Sequence, residues 1–170
     1  MAATAENQEL LKIALKAAEL AQENIMKYFQ ASVGVEWKKD NTPVTIADKS
    51  TEEIARKFWE KETPGFGVIG EEFGIENPDA EYQWVIDPID GTKAFIHGVP
   101  LFGTLIALYR KGTPLASLIR IPAMNTAVWA VKEGGAFLDG KPVAPIYEGY
   151  TSMASNGLIH DEVAKIFKQL

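Results

Sequence analysis

A chain of 170 residues that is 46% hydrophobic and 24% charged has the profile of a globular protein, not of a disordered or fibrous one. Its net charge of −6, without a clustered Lys/Arg stretch, argues against phosphate-backbone binding, so no nucleic-acid partner is expected. With no cysteine, thiolate ligation and disulfides are excluded; any metal must be held by oxygen or His, which suits magnesium, calcium or manganese.

Residues 1–9 are polar and carry no basic-then-apolar signal pattern. No apolar run approaches the roughly 20 residues that span a bilayer, so a cytoplasmic protein with no membrane partner is expected. Leu10, Ala14, Ala17, Ala21, Ile25 and Tyr28 recur at spacings of three and four, which predicts an amphipathic helix with Lys12, Lys16, Glu19 and Glu23 on its other faces. Residues 35–48 contain Pro43 and the polar Asp40, Asn41 and Thr42, and predict an ordered loop. A second helix is expected from about Thr45 to Glu62, stopped by Pro64 and Gly65.

Beyond residue 66 the pattern changes to short β-branched or aromatic runs, predicting strands at 66–69, 82–86, 102–109, 115–121, 127–131 and 136–138. The connections at 110–113, 122–126 and 132–135 are too short for parallel crossovers and favour antiparallel neighbours. Two helices followed by a meander predict a layered α+β unit with a mostly antiparallel sheet. Residues 162–170 begin another helical pattern through Val163, Ile166 and Phe167.

Two acidic clusters fall where predicted strands end: Gly70-Glu71-Glu72, and Asp87-Pro88-Ile89-Asp90-Gly91-Thr92. In the second, Pro88 lacks an N–H and Gly91 tolerates a left-handed backbone, so the segment can curl and aim two carboxylates and a carbonyl at one point. Carboxylates gathered this way repel one another unless protons or cations compensate. Two divalent metals about 3.5–4 Å apart would both relieve that repulsion and serve phosphate-ester hydrolysis. Taken singly, Glu71-Glu72 reads as a solvated turn, and Asp87 and Asp90 as caps of a helix start.

The hexapeptide D-P-I-D-G-T at 87–92 resembles the signature of the inositol monophosphatase superfamily. G-E-E at 70–72 resembles its partner element, and K-K-D-N-T-P-V-T-I-A-D at 38–48 resembles a third, in the same order. The resemblance implies an αβαβα-type sugar-phosphatase fold, with a metal-binding lobe over 1–150 and the start of a second α/β lobe over 151–170. It implies that Glu71, Asp87 and the carbonyl of Ile89 hold a first metal, that Asp87 bridges, and that Asp90 binds a second. The backbone N–H groups of Gly91 and Thr92 would meet the phosphate, Glu71 and Thr92 would orient the attacking water, and Asp48 would support Thr92. Lys38 and Glu72 are candidates for a supporting role.

The stretch G-T-K-A-F-I-H-G-V-P-L-F-G-T-L-I-A-L at 91–108 is similar to the histidinol-phosphatase branch. The implied reaction is Mg2+-dependent hydrolysis of L-histidinol phosphate, with two or three ions per complete site and Mn2+ as a substitute. Inositol monophosphate is the alternative substrate, and the family's habit implies a homodimer. The family's W-D-x-A-A-G-like element is absent from these residues. Expectations are therefore a shortened chain of a longer enzyme, a short member completed by a partner, or a metal- and phosphate-binding fragment without turnover. His97 and His160 read as structural, Lys93 as either a phosphate contact or a solvated helix residue, and Trp37, Trp59, Trp84 and Trp129 as packing residues.

Overall fold

The computed structural model describes residues 3–143. The first helix, α1 (Ala5–Ile25), starts where the Thr4 hydroxyl accepts the Asn7 amide at 3.2 Å. Its buried stripe runs through Leu10, Ala14, Ala17, Ala18, Ala21 and Ile25, mostly small side chains that let the helix lie close to its neighbours. The second helix, α2 (Ile46–Glu62), begins in a capping box: Thr45 accepts the Ala47 amide, and the Asp48 carboxylate reaches back to the Thr45 amide at 2.8 Å. Asn24 of α1 ties the two helices together by donating to Ser50 (2.8 Å) and Thr51 (3.0 Å). No described helix is long and apolar enough to cross a membrane.

A short antiparallel pair, β1 (Val35–Trp37) and β2 (Pro43–Thr45), leads into α2. The main sheet contains β3 (Gly67–Gly70), β4 (Gly74–Glu76), β5 (Tyr82–Asp90), β6 (Gly103–Arg110), β7 (Thr113–Ile121), β8 (Thr126–Val131), β9 (Gly135–Leu138) and β10 (Lys141–Val143). They lie in the order β10-β9-β8-β7-β6-β5-β3-β4, antiparallel except for the β3–β5 pair. A five-residue helix, α3 (Thr92–Ile96), follows β5.

One sheet face meets the helices through Trp84, Ile86, Ile106, Leu108 and Leu118, packed against Leu10, Ala14, Ala55 and Trp59. Trp59 and Trp84 stack in parallel with ring centres 4.8 Å apart, and the Trp84 indole donates to Thr63 at 3.0 Å. A second cluster, Ala21, Ile25, Ala47, Ile89, Phe95 and Phe102, seats α3 and the end of β5.

The layered α+β expectation holds, as does the antiparallel run from β6 to β9. The strand expected at 82–86 continues to Asp90, because β6 keeps pairing with it beyond Asp87. The loop expected at 35–48 folds into β1 and β2, the helix start implied near Gly91 opens only the five-residue α3, and β4 and β10 were not foreseen. Both strands are short and exposed throughout, so neither carries an apolar period to read. Trp37, expected to pack, is 62% exposed because β1 buries none of its residues. The second lobe expected at 151–170, its helix, and His160 lie outside the described residues.

Candidate active site

Parallel pairing of β3 with β5 sets Gly70 beside Ile86, so the two acidic segments leave the sheet at the same end. The Glu71 amide continues that pairing, donating to the Ile86 carbonyl at 3.2 Å. In β5, Asp87 pairs with Leu105, and the register then slips until Asp90 pairs with Gly103. The slip contains Pro88, whose carbonyl accepts from the wholly buried Thr104 hydroxyl at 2.8 Å. Ile89 turns into the second core cluster between the two aspartates. Gly91 adopts φ 89°, ψ 36°, a left-handed turn that bends the chain into α3 and that a side chain would resist.

The carboxylates of this strand end act on one another. Burial pushes the Asp87 carboxyl up to about 9, reinforced by Glu71, to which it is also hydrogen-bonded, and by Asp90 and Asp48. Asp90 is raised by burial and then by Glu71. Asp48, 2% exposed, is raised by burial although the Thr45 amide and hydroxyl (2.8 and 2.6 Å) favour its ionised form. Its other oxygen lies 3.3 Å from the Thr92 hydroxyl, which also approaches the Ile89 carbonyl at 3.0 Å.

Lys38, on the turn between β1 and β2, supplies the local cation, with Nζ 3.1 Å from Glu71 and 2.8 Å from Glu72. Burial lowers its pKa, but the bonds to Glu72 and Glu71 outweigh it and leave the ammonium raised. Glu72 is raised by burial, against the opposing pull of Lys38. Asp40 shapes this turn by accepting the Thr42 amide and hydroxyl (3.1 and 2.7 Å).

The structure thus brings Lys38, Asp48, Glu71, Glu72, Asp87, Ile89, Asp90, Gly91 and Thr92 to one end of the sheet. Lys93 and His97 are exposed, and His97 Nδ1 contacts the Lys93 carbonyl at 2.7 Å. Among the described residues, no three carboxylate or imidazole side chains converge in ligating geometry. Glu71 is shared between Lys38 and Asp87, so an ion would compete with the ammonium for it. By donor chemistry the set fits a hard divalent cation: all oxygen, strongly acidic and partly buried. Sequence reasoning missed Thr104 and Glu52, both buried polar residues that sit in otherwise regular strand and helix patterns. The one available signal was a Glu four residues before Arg56 on a helix.

Fold and site together define a layered α+β protein with an acidic site at the ends of two parallel strands. The chain belongs to the inositol monophosphatase family, which matches residues 6–164. It is 44% identical over 134 residues to the histidinol-phosphatase of Chlorobaculum parvum, covering 78% of this chain and 52% of that one. To the histidinol-phosphatase of Mycobacterium tuberculosis it is 41% identical over 128 residues, covering 75% and 49%. A solved inositol monophosphatase from Zymomonas mobilis superposes with a TM-score of 0.70 at 36% identity, over 82% of this chain and 54% of that one. The chain spans about half the length of the curated relatives it matches.

Proposed function

We infer that this chain carries the cation and phosphate site of a Mg2+-dependent phosphoric monoester hydrolase, acting in the cytoplasm on L-histidinol phosphate to release L-histidinol and phosphate. The observation that carries this reading is the register slip in β5, which sets Asp87 and Asp90 on either side of Ile89, next to Glu71 and Asp48. The similarity to two histidinol-phosphatases supports this substrate and, with it, a role in histidine biosynthesis.

In this reading Glu71, Asp87 and the Ile89 carbonyl would hold one ion and Asp90 a second, with Asp87 shared between them; Mn2+ would replace Mg2+. Bound divalent cations supply charge neutralisation and Lewis acidity at the phosphoryl group. The chain's own residues do the positioning. Asp48, fixed by Thr45, accepts a hydrogen bond from the Thr92 hydroxyl, which would leave the Thr92 oxygen to accept from a water that Glu71 would orient in line with the phosphorus. The Gly91 and Thr92 amides face the phosphate, while Lys38 and Glu72 hold the charge around Glu71 in balance.

The inositol-1-monophosphatase reading draws on the likeness to the Zymomonas enzyme. A reading of another class, a binding fragment without turnover, draws on the half-length match. The test incubates this chain, and a form extended to its relatives' length, with Mg2+ and either L-histidinol phosphate or inositol monophosphate, and measures released phosphate. The extended form is expected to prefer histidinol phosphate and to lose several orders of magnitude in Asp87→Asn and Asp90→Asn. Full Mg2+-dependent activity in the doubly substituted enzyme would remove the assignment. Ion binding by the shorter chain without phosphate release would favour the fragment reading.

A further inference from the structure

Glu52 lies on α2 and is wholly buried, in a place where a carboxylate needs an explanation. One oxygen accepts the Glu72 amide at 2.7 Å; the other accepts the Phe73 amide at 3.2 Å and Arg56 Nε at 2.9 Å. Arg56 also holds the far side of the same turn, donating to the Gly74 carbonyl at 2.6 Å and the Glu76 carboxylate at 3.0 Å. A Cβ built on Gly70 would overlap the Glu52 carboxylate, so glycine there is what lets the acid reach the turn.

These contacts account for successive amides of the turn between β3 and β4. Glu71 is held by the Ile86 carbonyl, and Glu72 and Phe73 by Glu52. For folding alone, a buried acid-base pair is a poor device, since apolar residues of similar volume often stabilise as well or better. What a carboxylate adds is direction: charge-assisted bonds, shorter and stronger than neutral ones, that fix the backbone they hold. Its oxygens are occupied by these donors, which sets Glu52 apart from a further ion ligand.

The geometry points to Glu52 as the positioning residue for Glu71 and Glu72, a strut from α2 that aims their side chains at the strand end. This role rests on the phosphatase reading for its ion, and on the hydrogen bonds alone for its mechanics. The test compares the wild-type chain with Glu52→Gln and with Ala55→Gly, a destabilising control on the same helix that does not touch the turn. Mn2+ affinity is measured by calorimetry, and exchange of the Glu72 and Phe73 amides by NMR.

Glu52→Gln is expected to weaken Mn2+ binding by about tenfold or more, as loss of a group that orients a ligand commonly does. It should also speed exchange of those two amides well beyond the control, whose ion affinity stays at the wild-type value. Equal affinities and equal exchange in the two variants would overturn the proposal. Should Glu52→Gln not fold, Gly70→Ala displaces the carboxylate from the other side and is judged against the same control. A wild-type chain that takes up no Mn2+ overturns the phosphatase reading instead, and the exchange rates then decide on Glu52 by themselves.

Discussion

Asp87 stands where burial and three neighbouring acids converge, and its stability effects should run opposite to its proposed use. With divalent ions chelated, Asp87→Asn removes the repulsion while keeping the shape, and should stabilise the chain by at least about 1 kcal/mol, or ~3 °C in Tm. The same variant should lose the stabilisation that added Mg2+ gives the wild type; melting in chelator and in Mg2+ checks both. Asp87 also sets a pH dependence. Its folded value near 9 lies above the unfolded 3.8, so between them the folded chain holds a proton the unfolded chain has released. The contribution is therefore full below about 4 and is lost as pH rises towards 9, and melting of the chelated wild type should fall across that window while Asp87→Asn stays flatter.

At the scale of elements, the site is held by contacts that regular patterns do not announce. Thr104→Val in β6 leaves the Pro88 carbonyl without its donor inside the register slip, and should destabilise by about 1–3 kcal/mol in urea titration while also weakening Mn2+ binding. Thr63→Val, at the end of α2, strands the buried Trp84 indole N–H and should destabilise by a similar amount without changing ion affinity, because it lies in the core stack and not at the strand end. The helices themselves were legible from spacing. The Leu10–Ile25 stripe is the buried face of α1, and Thr45 opens α2 as its cap.

Across the whole molecule, the described residues form a main sheet whose middle strands are β7 and β6, with the buried β5 beside them, and whose margins, β4 and β10, are exposed along their length. Amide exchange should follow that gradient, slowest at Trp84, Ile106 and Leu108 and fastest in Gly74–Glu76 and Lys141–Val143; uniform protection would contradict it.

The sequence by itself determined the class of fold and the identity of the acidic residues, because hydrophobic period is a local property and the three motifs keep their order along the chain. It did not disclose that β3 and β5 run side by side in parallel, since β4 intervenes and strand adjacency is settled by which apolar faces meet α1 and α2. Nor did it single out Glu52 or Thr104, whose backbone partners at the site lie 16 to 21 residues away. Their hydrogen bonds exist only once helix and strands have packed, and it is that packing which turns a set of acids into a shaped site.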